Sequence, residues 1–312
     1  MTNEVNYRDV ILLDGGTGRE LMKRGLPDDR KLWSAHALVH PEYHDLLHQV
    51  HQSFYEAGSK YVTSNNYTVT AQSGFTDEEI DKYTKLAGVI AAESRAAAKT
   101  LNAQVLGSIP PLIESYRSDL VLPAEKAVPV YTRIGNILAP YVDVFAAETM
   151  SCIREAIMAI DGVKHLNKPI FVAFTLGKDG ALRSGESVDS AIRTVINHSS
   201  LVRAVLFNCS EPEHITICFR NLSNDLRNEL NAKKVRLGAY ANALVPVPKD
   251  WTLSSTEAIP RRDDLTPEAY IAYADTWIQL GATLIGGCCG IGPEHIAAIQ
   301  AFLVSKIKIS RI

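Results

Sequence analysis

Apolar positions along this chain follow two alternating periods. Short continuous apolar runs, such as IFVAFT at 170–175 and AVLF at 204–207, alternate with longer stretches whose apolar residues recur every three to four positions. A continuous run bounded by turn residues is the pattern of a parallel strand buried on both faces. Eight runs qualify: 10–14, 61–65, 105–108, 142–148, 170–175, 204–209, 236–241 and 283–288. The helical stretches between and after them are 41–57, 78–101, 123–138, 151–165, 188–199, 212–230, 267–280 and 293–304. Pro267 and Pro293 stand at first-turn positions, where the missing N–H costs nothing, and Glu268 and Glu294 follow them where a carboxylate favours the helix dipole. Gly58 and Gly281 sit where helices stop. Eight strand–helix alternations without a long linker predict a single (β/α)8 barrel, an α/β fold of the TIM type. A doubly wound open sheet is the alternative. It fits less well, because Asp14-Gly15-Gly16-Thr17-Gly18 lacks the G-x-G-x-x-G spacing of a dinucleotide site. The least regular stretches, 107–123 and 242–265, are expected to be loops after strands three and seven.

Composition narrows the class without naming the chemistry. A net charge of −3 gives no basic footprint, so no nucleic-acid partner is expected. No apolar run reaches the roughly 20 residues of a membrane span, and the polar start Met1–Val5 lacks the pattern of a secretory signal. A reducing cytoplasm is the expected setting. Five cysteines, an odd number, argue against a disulfide framework and turn attention to metal binding or catalysis.

Active sites in such barrels lie at the C-terminal ends of the strands. Those ends carry Asp14, Asn65-Asn66-Tyr67, Ser108, Glu148, Asn208-Cys209, Asn242 and Gly286-Gly287-Cys288-Cys289-Gly290. Strands six and eight are second neighbours in a barrel, so Cys209, Cys288 and Cys289 can converge. Three thiolates leave one position of a tetrahedral zinc open, the arrangement of a catalytic rather than a closed structural site. Any one buried cysteine is more often a small core residue, and that reading is preferred for Cys152 and Cys218 within helical patterns. The glycines at 286–290 could instead cradle a phosphate at a helix N-terminus, but that leaves the two adjacent cysteines without a role. His36, His40, His44 and His48 recur at i, i+4 spacing but lack the H-E-x-x-H pattern. Lys178, in a polar turn, is expected to be solvated rather than a Schiff base. Asp14 and Glu148 end apolar strands, where a carboxylate is costly unless paired or used. They suit acid–base work or an ammonium group.

These residues carry a resemblance. LLDGGTGRELMKRG (12–25), TSNNYTVTAQSGF (63–75), GSIPPLIESYRSDL (107–120), AAETMSCIREA (146–156), FNCSEPEHI (207–215) and GGCCGIGPEHI (286–296) resemble, in family order, the homocysteine S-methyltransferases. The resemblance implies one homocysteine-binding barrel over residues 1–312, with Zn2+ as cofactor on Cys209, Cys288 and Cys289. It implies that Asp14 and Glu148 grip the homocysteine amino group, that backbone amides near Gly15 and Gly16 meet its carboxylate, and that Tyr67 and Asn208 border the substrate. Tyr67-Thr68-Val69-Thr70 and Tyr240-Ala241-Asn242-Ala243-Leu244 depart from the family pattern in loops that face the donor. The segment at 107–120 is closest to the branch that uses a sulfonium donor, S-methylmethionine or S-adenosylmethionine, rather than betaine. The partners implied are small molecules, homocysteine and a methyl donor. A barrel lyase using Glu148 as base, or a metal- or thiol-binding sensor, are the competing classes.

Overall fold

A computed structural model of the chain describes residues 5–248, 251–252 and 259–309. Part of the 242–265 loop and residues 1–4 of the polar start lie outside these described residues.

Eight parallel strands form one sheet: β1 (Ile11–Leu12), β2 (Tyr61–Thr63), β3 (Gln104–Ile109), β4 (Val144–Met150), β5 (Ile170–Phe174), β6 (Val202–Asn208), β7 (Arg236–Ala241) and β8 (Ala282–Gly287). Their order is β1-β8-β7-β6-β5-β4-β3-β2, every pair parallel. All eight predicted strands are present. The ends of the sheet meet at β1 and β2, where Lys60 N–H donates to the Leu12 carbonyl (2.8 Å), so the sheet closes into a nearly continuous barrel.

The helices are α1 (Thr17–Lys23), α2 (His36–Val39), α3 (His44–Glu56), α4 (Asp77–Ala97), α5 (Ala124–Leu138), α6 (Ile153–Val163), α7 (Val188–His198), α8 (Pro212–Asn221), α9 (Asn224–Lys233), α10 (Pro267–Gln279) and α11 (Pro293–Ile309). Three differ from the sequence expectation, the four-residue α2 among them. The stretch 212–230 is two helices, because Ser223 caps a new start: its side chain accepts from Leu226 N–H after Leu222 turns extended. The short α1 follows the first strand directly and escapes the periodicity reading, since seven residues are too few to display it.

Side-chain alternation divides the interior in two. Leu13, Tyr61, Leu106, Val144, Ala146, Phe171, Ala173, Ala204, Leu206 and Leu284 fill the barrel. Their strand neighbours, such as Val62, Phe145, Ala147, Val172, Val205 and Ile285, join the larger core beneath the helices. On β4 the inward series is Val144, Ala146, Glu148, so a period of two carries the carboxylate into the barrel mouth. Among the described residues no helix is long and apolar enough to cross a membrane.

Candidate active site

The strand ends frame a cleft of about 1190 Å³ whose walls include Asp14, Tyr67, Glu148, Cys209, Cys288 and Cys289. Cys209 follows β6 at φ +45, a left-handed conformation uncommon for a residue with a Cβ. That turn takes its side chain out of the regular strand alternation. Cys288 and Cys289 follow β8 in a turn closed by Ile291 N–H to the Cys288 carbonyl (3.0 Å), with Gly290 at φ +85. At Gly290 the turn therefore needs a residue without a Cβ. Gly286 and Gly287 are glycine for a different reason. A Cβ on Gly287 would sit 2.1 Å from Ile291 Cγ2, and one on Gly286 would sit 2.6 Å from Leu13 Cβ.

The three sulfurs lie within 4.8 Å of one another, and they are the three-donor cluster found among the described residues. Zinc–sulfur bonds of about 2.3 Å set tetrahedral sulfurs roughly 3.8 Å apart, so this donor set fits a metal. Cys209 and Cys288 are joined as a disulfide, with Cα atoms 5.7 Å apart, while Cys289 is free. One bridge within a single cluster, beside three free cysteines, is not the framework that the odd count argued against. An odd cysteine count bears on frameworks spread over a chain, whereas two sulfurs that converge on one ion also converge on each other. The disulfide and a three-thiolate ligand set are mutually exclusive states of the same atoms. Cys152 and Cys218 are buried away from the cluster.

The cleft lining also holds two carboxyl groups. Asp14 accepts from Thr63 N–H (2.6 Å) and from the Thr63 hydroxyl (3.0 Å). Glu148 accepts from Ser108 Oγ. Burial pushes Asp14 up to about 7, against the lowering effect of the Thr63 bonds. Glu148 is likewise raised to about 7, first by burial and further by the nearby Asp14 charge, against the Ser108 bond. Two carboxyls held near neutrality in one dry wall form a site for a cation. Tyr67 hydrogen-bonds Ser115 Oγ at 2.7 Å, and burial raises its phenol well above the usual range. It lines the cleft as a neutral group.

Two of the expected binding residues have partners within the protein. Asn208 does not reach the cleft. It is fully buried, its amide donates to Thr149 Oγ1 (2.9 Å), and its carbonyl oxygen accepts from Thr149 N–H (3.1 Å). Asn208 thus fixes Thr149, which follows Glu148 at φ +62. The Gly16 N–H is not free for a carboxylate, because it donates to the Ile291 carbonyl (2.9 Å). Gly15 and Gly16 let the β1–α1 loop lie against the β8 loop: an added Cβ would be 2.2 Å from the Ile291 carbonyl oxygen at Gly15, and 2.5 Å from that of Cys288 at Gly16.

The histidine series builds no site. His44 bonds the Leu38 carbonyl, His48 bonds Ser94, and His36 stacks on His40. Lys178 is exposed. The cleft also recruits residues the sequence reading did not single out: Arg19, Arg30, Trp33, Tyr116 and Trp251. Most belong to loops with no periodicity to mark them. Only the proximity of Arg19 to the Asp14-Gly15-Gly16 turn could have signalled one.

Comparison with known proteins gives a consistent result. A family model described as homocysteine S-methyltransferase matches residues 11–303. Homocysteine S-methyltransferase YbgG of Bacillus subtilis is 26% identical, covering 94% of each chain. A selenocysteine methyltransferase of Astragalus bisulcatus is 27% identical over 95% of this chain and 93% of its own. Among solved structures, the metallated form of the Escherichia coli homocysteine methyltransferase MmuM superposes with a TM-score of 0.75 at 23% identity, over 94% of this chain and 96% of that one. The oxidised form of the same enzyme superposes at 0.73.

Proposed function

The chain belongs to the homocysteine S-methyltransferase family, and from that premise we propose that it is a zinc-dependent enzyme transferring a methyl group from a sulfonium donor to homocysteine, giving methionine. The whole chain would serve as one homocysteine-binding barrel. The observation that carries the reading is the convergence of three cysteine sulfurs within 4.8 Å at one wall of a cleft, with a buried carboxyl pair at another. The E. coli relative exists in metallated and oxidised forms. That supports reading the Cys209–Cys288 disulfide as the oxidised state of a ligand set formed by Cys209, Cys288 and Cys289.

Cys209, Cys288 and Cys289 would hold the zinc, which would supply Lewis acidity that favours the ionised form of a thiol of pKa about 8.5 at neutral pH. The residues of the chain do the rest. Asp14 and Glu148 grip the homocysteine ammonium group and fix the amino-acid end of the substrate. Neither moves a proton in the transfer, because a thiolate attacking a sulfonium methyl forms one carbon–sulfur bond, breaks another and releases a neutral thioether. Trp33, Tyr116 and Trp251 line the cleft, and the rings of Tyr116 and Trp251 lie 6.0 Å apart. Aromatic faces attract a sulfonium cation and exclude water from the reacting pair. Alignment of methyl and sulfur in this dry cleft lowers the barrel's remaining task to positioning, which supplies several kcal/mol.

The deciding experiment is a donor panel: S-methylmethionine, S-adenosylmethionine, betaine and a methylated folate, each with homocysteine, following methionine. Turnover with a sulfonium and not with betaine is the expected result. Turnover with betaine alone overturns the donor assignment. The selenocysteine methyltransferase relative adds selenocysteine to the acceptors to be tried.

A further inference from the structure

Two guanidinium groups in the cleft carry donors that nothing accepts. Arg19 on α1 and Arg30 in the loop beyond it both lie against Trp33, their central carbons 5.1 Å and 5.3 Å from its ring centroid. Arg19 gives one Nη2 hydrogen to the Ile259 carbonyl (2.9 Å), but its Nε is buried without a partner among the described residues. Arg30 Nε and Nη1 are buried in the same condition. The Asp28 carboxylate stands 3.6 Å from Arg30 Nη1, beyond hydrogen-bond reach, and is itself half exposed. A buried charged donor left unpaired costs more than a neutral one, so such groups are rarely orphaned without a reason.

The segment that presents them is built rather than loose. The Asp29 carboxylate accepts from the backbone N–H groups of Lys31 and Leu32 (2.9 Å each), and the Asp29 carbonyl accepts from Trp33 N–H (2.7 Å). Trp33 is held at φ +50, a conformation a bulky side chain seldom adopts. Both guanidinium groups rest against its ring. The cleft carries both signs of charge: Arg19 and Arg30 beside Trp33, and the Asp14 and Glu148 carboxyls. That pattern matches a zwitterion.

We propose that Arg19 and Arg30, braced on Trp33, form a subsite for the α-carboxylate of an amino-acid substrate. The Nε–Nη edge of a guanidinium is the group best shaped to hold a carboxylate by two parallel bonds. On the acceptor side one amide of the β1–α1 loop, the Gly16 N–H, is already given to Ile291. On the donor side, S-methylmethionine carries the same carboxylate. The inference rests on the reading above that both substrates are amino acids.

Binding measured without turnover separates the two ideas. L-Homocysteine and S-methylmethionine are titrated calorimetrically into the zinc-loaded protein and into Arg19→Gln, Arg30→Gln and Arg30→Lys. The decarboxylated counterparts, 3-aminopropanethiol and (3-aminopropyl)dimethylsulfonium, are titrated in parallel. Loss of a charged hydrogen-bonded pair predicts affinity weakened about tenfold to a hundredfold for one amino acid in the glutamine variants, with an intermediate loss in Arg30→Lys. The decarboxylated compounds should bind wild type and variants alike. A loss confined to S-methylmethionine gives the subsite to the donor, and one confined to homocysteine gives it to the acceptor. Unchanged affinity for both amino acids overturns the proposal, as does an equal loss for the decarboxylated compounds. Zinc content and the unfolding midpoint establish that each variant is folded. Absence of methyl transfer from a sulfonium would instead sink the donor reading, leaving the homocysteine titrations to judge the arginines.

Discussion

The Asp14 carboxylate accepts both the backbone N–H and the hydroxyl of Thr63, tying the end of β1 to the end of β2 where the barrel closes. One side chain thus serves as staple and as cleft wall. Asp14→Ala should remove both bonds and expose an unpaired N–H, lowering stability by about 2–4 kcal/mol. Thr63→Val, which keeps the backbone bond, should cost less, about 1 kcal/mol. Denaturant unfolding of the two variants measures the difference; equal losses would show that the hydroxyl carries the staple.

The buried carboxyls make stability and binding respond to pH in opposite senses. Asp14, Glu148 and Glu155 are each raised to about 7, burial being the largest cause in all three. Between about 4.5 and about 7 the folded chain therefore holds more protons than the unfolded one, so the stability these groups contribute falls as pH rises through that window. The unfolding midpoint of the metal-free protein should drop by a few degrees from pH 5 to 7.5. Glu155→Gln should flatten part of that drop while leaving homocysteine binding intact.

Homocysteine binding should strengthen as pH rises through about 7, because only ionised Asp14 and Glu148 attract its ammonium group. Glu148→Gln should weaken binding about tenfold or more and remove Glu148's share of the pH dependence, leaving that of Asp14, with zinc retained. Calorimetry across pH tests both halves, and loss of zinc in this variant would contradict the gripping role.

Cys209→Ser, Cys288→Ser and Cys289→Ser should each lower bound zinc from about one per chain to near zero and abolish methylation. Metal analysis on reduced protein is the readout. Wild type treated with an oxidant should lose zinc in parallel with the formation of the Cys209–Cys288 bond, and a reductant with zinc should restore it.

Gly16→Ala places a Cβ about 2.5 Å from the Cys288 carbonyl oxygen. The β8 loop must then shift, so zinc affinity and stability should fall together. A variant that loses only homocysteine affinity would return Gly16 to a substrate-binding role.

Asn208→Ala should cost about 1–3 kcal/mol by leaving Thr149 unpaired in the core. Activity should fall through displacement of Glu148, whose backbone Thr149 continues. A KM effect larger than that of Glu148→Gln would restore direct contact between Asn208 and substrate.

The barrel itself was legible in the sequence because each of its strands is buried on both faces, and full burial writes a continuous apolar run into the chain. The cysteine cluster was legible for a related reason: a barrel brings the ends of strands six and eight to one mouth whatever the details of packing. The family pattern carried by 207–215 and 286–296 then assigned the chemistry. Where helices break was harder to read. The 212–230 stretch keeps helical periodicity through Leu222, and only the cap made by Ser223 interrupts it.

What the sequence determined by itself was fold, family and which three cysteines meet at the barrel mouth, since these follow from periodicity and from residue types at strand ends. Tertiary structure alone decided how the binding residues divide their labour. Asn208 sits at a strand end and could have faced substrate, yet its amide is taken by Thr149. Gly16 could have offered its N–H, yet Ile291 accepts it. Arg19 and Arg30 bear no periodic signature, and they meet only because the turn at Asp29 lays Trp33 between the loop and α1. A hydrogen bond has one partner among many in reach, and that choice is made by the packed chain, not by the order of its residues.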